Sequence, residues 1–142
     1  MRIVIDTCVI MDFATGRDEH LMEISNILLA ESIKGTFEAF ITANTVTDLF
    51  YLLHKSCSNR NQTIEYLEQL FGFVSILDVN QQDCINALSS KINDYEDAVL
   101  AESAFRNNAD YIITDNLKDF SNSKVKIISG KQFLEQIFGS GQ

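Results

Sequence analysis

The sequence predicts an α/β domain in which a short parallel sheet of four to five strands is covered by helices. Two observations carry this. The short runs Arg2-Ile3-Val4-Ile5 and Tyr111-Ile112-Ile113-Thr114, rich in β-branched residues, stop abruptly at Asp6-Thr7 and Asp115-Asn116, as strands buried on both faces do at the edge of a sheet. Between such runs lie longer segments with apolar residues at helical spacing, and strands that alternate with helices imply crossover connections and parallel pairing.

In chain order, Ile3 to Ile5 is the first strand. Asp18 to Gly35 holds Leu21, Ile24, Ile27, Leu28 and Leu29 at helical spacing and closes on Lys34-Gly35, a C-terminal signal. Phe37 to Thr42 is a second strand. After it, Val46, Leu49, Phe50 and Leu53 fall at i, i+3, i+4 and i+7 in a helix whose first turn carries Asp48. Cys57 to Asn61 is a polar turn, Gln62 to Phe71 a further helix that completes a hairpin, and Val74 to Val79 the third strand. Gln81 to Lys91 is helical, and Ile92 to Tyr95 leads into a helix running to Asn107-Asn108, with Ala98, Ala101 and Phe105 on one face. Tyr111 to Thr114, Val125 to Ser129 and a terminal helix, Gly130 to Phe138, complete the pattern.

The 142 residues contain no proline, no repeat and no low-complexity tract that would act as a linker, so residues 1–138 are expected to form one domain, with 139–142 a frayed end. The longest apolar run, Leu49 to Leu53, is far short of the ~20 residues that span a bilayer, and Asp6 cuts the N-terminal one. Neither a transmembrane helix nor a signal peptide is expected. Cys8, Cys57 and Cys84 are odd in number, far apart and not at metal-ligand spacing from His20 or His54. They read as reduced, mostly buried thiols in a cytoplasm.

A formal charge of −9 argues against nonspecific binding to a polyanion. The charge is uneven: residues 1–115 carry 18 acids and 7 bases, whereas residues 116–142 carry 2 acids against Lys118, Lys124, Lys126 and Lys131. Either a basic protein covers the acidic body or cations neutralise a cluster within it.

The stretch Asn93-Asp94-Tyr95-Glu96-Asp97-Ala98-Val99-Leu100-Ala101 places three acids in four positions at a helix start. Asp94 reads as the N-cap, and Asp97 stands where a capping box puts its second acid. In open parallel sheets, sites form beyond the carboxyl ends of the strands, on the side where the following helices begin. Asp6 and Asp115 end strands, Asp48 and Asp97 begin helices, and all four can therefore converge. Carboxylates ~4 Å apart repel by ~4 kcal/mol at an effective dielectric of about 20, so such a cluster needs divalent cations or shared protons. Oxygen-only donors point to Mg²⁺ or Mn²⁺, and the chemistry they support is in-line displacement at phosphorus.

The segments IVIDTCVIMDF, TANTVTDLFYLL and DYEDAVLAESAFRNNADYIITDNLKDF resemble the PIN domain, most closely the compact bacterial proteins typified by VapC toxins. The resemblance covers nearly the whole chain. It implies a PIN-like three-layer α/β/α fold and a metal-dependent ribonuclease, often homodimeric and often held inactive by a co-expressed antitoxin. By the same resemblance Asp6 matches the first family acid, Asp97 the acid of the Glu96-Asp97-Ala98 step, and Asp115 the acid or polar position after the fourth strand. Asn116 and Asp119 match the polar positions that follow, with Thr7 and Thr114 as supports for carboxylates or bound water. This chain departs from the family in two places. Asp48 stands where Glu is usual, one methylene shorter, and Cys8 replaces a usual Asn.

Each residue also has a purely structural reading. Asp48 is favoured in a first turn by the helix dipole, Asp97 by capping, Asp6 by an Asx turn. Asp94 and Glu96 read as cap and solvated face. Lys118, Lys124 and Lys126 either keep a strand edge soluble or contact RNA phosphates. Three activities follow: a metal-dependent nuclease cutting single-stranded RNA, a catalytically degenerate PIN-like binding module, and a phosphotransfer protein using Asp6. Cys8 counts against the third, because the phosphatases concerned carry a second Asp there. No P-loop or dinucleotide fingerprint is present. The apolar helix faces at Leu21–Leu29 and Phe133–Phe138 exceed what a small sheet needs and predict a homodimer.

Overall fold

The computed structural model describes residues 1–139. Its elements run β1 (Arg2–Ile5), α1 (Thr7–Thr15), α2 (Glu19–Ile33), β2 (Glu38–Thr42), α3 (Ala43–Cys57), α4 (Arg60–Leu70), β3 (Ser75–Leu77), α5 (Gln81–Leu88), α6 (Tyr95–Arg106), β4 (Tyr111–Ile113), a 3₁₀ turn (Leu117–Phe120), β5 (Lys126–Ile128) and α7 (Gly130–Gly139). Gly139 is the last helical residue, and the rest of the expected frayed end, 140–142, lies outside the described residues.

The strands form one parallel sheet in the order β3-β2-β1-β4-β5. Period-two alternation splits their side chains between two cores. Ile3, Ile5, Ala39 and Ile41 of β2, and Ile113 join the core formed with α1, α2, α3, α4 and α7. Val4, Phe40, Leu77 and Ile112 join the other, with Ala87 of α5 and Ala98, Val99 and Ala101 of α6. The result is the three-layer α/β/α arrangement expected from the sequence.

One helix was not foreseen. The Cys8-Val9-Ile10-Met11 run continues the apolar character of β1, but Asp6 turns the chain and accepts at its backbone oxygen from the Val9 amide, so α1 begins without a loop. Gly16 ends it in the left-handed conformation, φ 61°, which costs a residue without Cβ little.

On the other face, α6 is tied down by charge. Arg106 donates Nε to Asp83 Oδ1 (2.9 Å) and Nη2 to Oδ2 (2.8 Å), and Nη2 also reaches the Asp78 backbone oxygen (2.9 Å). Asp83 is 2% exposed and completes a capping box with Asn80 at the start of α5. The end of β3, α5 and α6 are thus locked together, which sets where the first turn of α6 stands.

Two expectations are corrected. Cys57 and Cys84 are exposed, because one ends α3 where the chain turns and the other lies on the outer side of α5; Cys8 is half-buried. The apolar faces of α2 and α7 largely pack within the chain: Gly130 lies so close to Ile24 and Leu28 that a Cβ would sit 2.7 and 3.2 Å from their side chains, and Phe133 meets the Phe37 ring edge-on at 5.1 Å. Ile27 and Ile33 on α2 and Phe138 on α7 remain exposed. Among the described residues no helix is long and apolar enough to cross a membrane.

Candidate active site

The alternation that sorts the strands into two cores also aims their ends. Val4 and Ile112 face α6, so Asp6 and Thr114, two residues further along each strand, face the same way. Their side chains meet there. Thr114 donates Oγ1 to Asp6 Oδ2 (2.8 Å), and the Cys8 thiol donates to the same oxygen (3.3 Å). Asp6 Oδ1 accepts from the Thr7 amide (2.8 Å). Thr7 thus supports Asp6 through its backbone, while its hydroxyl donates to Thr45 Oγ1 at 3.4 Å. At the end of β2, Thr42 donates to Asn44 Oδ1 and pairs with Thr45 (3.1 Å).

Asp6 is 6% exposed. Burial raises its pKa, an effect that the bonds from Thr114, Cys8 and Thr7 oppose and the Asp115 charge reinforces; the net direction is upward. Burial and the Asp6 charge likewise raise the Cys8 thiol, which stays a protonated donor.

Asp97 is half-buried in the first turn of α6. Asp94 caps that helix, its Oδ1 accepting from the Asp97 amide (3.0 Å), and Asp97 returns no reciprocal bond that would complete a capping box. Its carboxyl is therefore free of the structural duty that the sequence allowed it. Burial, then the charges of Asp6, Asp94, Asp119 and Glu96, push it up to about 7.

Asp6 and Asp97 line a cavity of about 230 Å³ together with Asp48, Glu96, Asn44 and Asn116, and Met11, Leu52 and Leu100 form its apolar wall. Glu96 is exposed, as its solvated-face reading expects. It borders the cavity beside Asp48, and burial together with the Asp48 charge raises its pKa. The acid crowding at Asp94-Tyr95-Glu96-Asp97 was the available signal for it.

Asp115 does not line this cavity, whereas Asn116 does. The reason is again the alternation. Thr114 points toward Asp6, so the next side chain points away, and the Asn116 amide folds back to donate to Thr114 Oγ1 (3.0 Å). The expected ligand Asp115 instead lies beside Asp12 of α1. Burial and the adjacent Asp115 push Asp12 up to about 7, and Asp12 Oδ2 is buried with no hydrogen-bond partner. Recognising α1 would have exposed Asp12, one turn along from Cys8 on the same face.

Asp119 lies close enough to Asp97 to raise its pKa and borders a neighbouring cavity of about 310 Å³ with Lys118 and Asp97. Lys124 is committed elsewhere: its ammonium pairs with Glu102 (3.2 Å) and lies over the Phe105 ring (5.1 Å).

Among the described residues no three His, Cys, Asp or Glu side chains converge into a ready-made metal site. The donor types nevertheless suit a hard cation. Every charged group lining the cavity is a carboxylate, and Mg²⁺ is commonly held by one or two carboxylates while keeping several of its waters.

The family model described as PIN domain matches residues 2–118. Comparison with curated proteins finds no match. Among solved structures, the chain is similar to VapBC2 from Rickettsia felis bound to a DNA fragment from its promoter, with 16% identity, 91% of this chain and 98% of that chain covered, and a TM-score of 0.70. VapBC-1 from nontypeable Haemophilus influenzae gives 22% identity, 92% and 99% coverage and a TM-score of 0.69. VapC20 from Mycobacterium tuberculosis, described as a toxin that cleaves the sarcin-ricin loop, gives 13%, 87% and 98%, and 0.64.

Proposed function

The chain belongs to the PIN domain family, and on that premise we propose that it is a metal-dependent endoribonuclease that cuts single-stranded RNA, working as the toxin of a toxin–antitoxin pair. The observation that carries this reading is the pairing of two different kinds of acid at one cavity: Asp6, immobilised by three donors, and Asp97, free of any capping bond and raised by its acidic neighbours.

A phosphodiester is an anion, and a cavity whose charged lining is all carboxylate repels it unless a cation intervenes. This supports a requirement for Mg²⁺ or Mn²⁺. Asp6 and Asp97 would hold the ion, with Asp48, Glu96 and Asn116 within the same cavity as further oxygen donors and Asp115 at most an outer influence. When bound, the ion polarises the phosphate and activates water for in-line attack, and two ions would also stabilise the leaving oxygen. The chain's own part is positional. Thr114, Cys8 and the Thr7 amide fix the plane of the Asp6 carboxylate, and the wall of Met11, Leu52 and Leu100 keeps water from one side, where electrostatic interactions gain strength.

Residues 1–138 act in this reading as one PIN-like domain in the cytoplasm. The similar toxin–antitoxin structures support a small antitoxin as partner. Ile33 and Phe138, still exposed on α2 and α7, support a homodimer through these helices.

Three departures favour a second reading, a catalytically degenerate module that binds RNA or protein: the short Asp48, Cys8 beside Asp6, and Asp115 turned toward Asp12. Cleavage of labelled single-stranded RNA in Mn²⁺ by rigorously purified wild type and Asp6→Asn separates the two. Wild-type cutting that Asp6→Asn lowers by orders of magnitude supports the nuclease; equal rates refute it.

A further inference from the structure

The Cys8 thiol borders the acid cavity and meets its most buried acid directly. Sγ lies 3.3 Å from Asp6 Oδ2. That oxygen has two lone pairs, of which Thr114 Oγ1 takes one at 2.8 Å while the thiol faces the other. The backbone sets the pair up: Asp6 is the N-cap of α1 and Cys8 the second residue of the same helix, so both side chains leave one turn of chain fixed at the end of β1. The first turn of a helix is also where its dipole favours a sulfur that carries negative charge.

The span of the pair suits a metal as well as a proton. An ion about 2.3 Å from a thiolate sulfur and about 2.0–2.2 Å from a carboxylate oxygen holds these two atoms roughly 3.3–3.6 Å apart at a near-tetrahedral angle of about 100–110°. The observed separation falls in that range, so an ion can replace the thiol hydrogen with little movement of either side chain. Carboxylates by themselves select Mg²⁺ or Mn²⁺, whereas a carboxylate joined to a thiolate selects a softer ion, and the order of affinities among first-row divalent ions runs the same way.

We propose that Cys8 and Asp6 form the core of a site for a thiophilic divalent cation of the Zn²⁺ class, which displaces Mg²⁺ or Mn²⁺ from Asp6. The thiol releases its proton to solvent as the metal–sulfur bond forms, and no electron is transferred. Among the described residues no three His, Cys, Asp or Glu side chains are already gathered around one point. Water therefore completes the coordination together with Asp97, which borders the same cavity and has no capping bond to lose. Two classes of ion compete for one carboxylate oxygen, and Cys8 decides between them. The proposal rests on the cation-binding half of the reading above and not on RNA cleavage.

Co²⁺ serves as the probe, because a thiolate bound to it gives a charge-transfer band in the near ultraviolet and a carboxylate does not. The titration uses the full chain with Cys57→Ser and Cys84→Ser, both exposed thiols, which leaves Cys8 as its single cysteine. One equivalent of Co²⁺ should raise the band, Zn²⁺ should abolish it stoichiometrically, and Mg²⁺ in large excess should not. Adding Cys8→Ser should remove the band and lower Zn²⁺ affinity by more than the roughly 10–100-fold that loss of an outer-shell partner costs. Mn²⁺ affinity, read from the paramagnetic resonance of the free ion, should change far less. Iodoacetamide labelling of Cys8, read by mass, makes the measurement without altering this position: Zn²⁺ should block it and Mg²⁺ should not. Absence of the band in a chain that still binds Mn²⁺ overturns the thiol ligand and leaves the hard-cation reading standing. A Zn²⁺ affinity that Cys8→Ser lowers no more than an outer-shell loss does, again without a band, also overturns it and makes Cys8 a positioning residue for Asp6. The band in a chain that binds no Mn²⁺ and cuts no RNA upholds the thiol site and refutes the nuclease, and failure to bind either ion overturns both.

Discussion

The Thr114 hydroxyl donates to Asp6 Oδ2 at 2.8 Å, joining residues 108 positions apart in the sequence. Thr114 is fully buried, so no water takes its place when the hydroxyl is removed. Thr114→Val should cost roughly 1.5–3 kcal/mol, the range for a hydrogen bond to a charged group. It should also raise the Asp6 pKa further, because this bond is the largest of those that lower it. The acidic limb of the pH–rate profile for RNA cleavage should then move to higher pH, and Thr114→Ser should restore it. A profile that stays in place would confine Thr114 to a structural part.

Asp97 is the residue whose pH behaviour is most telling. Burial and neighbouring acids push it up to about 7 in the folded chain, against about 3.9 for an unfolded Asp. The folded state then binds the proton more tightly, so its stabilising effect is present below about pH 4 and is lost as pH rises toward 7. In chelator, Asp97→Asn should melt increasingly above wild type across that window. With Mn²⁺ at pH 7.5 the order should narrow or reverse, because a ligand at about a hundredfold excess over Kd adds ~2.7 kcal/mol to the wild type. Thermal scans giving one constant offset at every pH, with and without Mn²⁺, would remove Asp97 from any ion site.

Asp48 and Glu96 share one side of the cavity. Asp48→Glu should keep or raise the cleavage rate by lengthening the reach of the carboxylate, and Asp48→Ala should abolish it. Glu96→Gln should give an intermediate loss, with the Mn²⁺ concentration for half-maximal rate shifted upward. Rates that match wild type in all three would leave Glu96 as a first-turn acid favoured by the helix dipole and Asp48, which α3 places in its second turn rather than the first turn expected from the sequence, as a polar surface residue.

Arg106→Ala should be the most destabilising of these changes. It strips the paired cation from Asp83, which is 2% exposed, and an uncompensated buried charge typically costs about 3–5 kcal/mol. Urea unfolding midpoints measure this directly. Arg106→Lys should recover only part, since an ammonium does not reproduce the two-pronged bond. A loss below about 1 kcal/mol would mean that water reaches Asp83.

Much of this arrangement was legible because strands and helices leave different periods. The five strand positions, the α3–α4 hairpin and the α6 start all showed in apolar spacing, and Asp6 stood out because little else explains an acid that cuts an apolar run. Helix α1 did not show, since Cys8-Val9-Ile10-Met11 has no polar interruption to reveal a change of period and Asp6 serves as both strand end and N-cap. That omission hid Asp12. Chemical type makes Asp115 the expected ligand and Asn116 its support, whereas the parity of positions after β4 decides which one faces the cavity.

The sheet order has a consequence for how the chain acquires its shape. Strand β1 lies in the middle, pairing with residues 38–40 on one side and 111–113 on the other. During synthesis β1 can find its first neighbour early, but its second edge stays open until the region of β4 has emerged. Non-local parallel pairing of this kind slows folding, and an unpaired central edge invites other chains. Asp6 therefore waits, without Thr114 to hold it, for most of the time the ribosome spends on the chain. A nascent polypeptide in that condition has not yet assembled the acid cavity that Asp6 lines with Asp97 and Asn116.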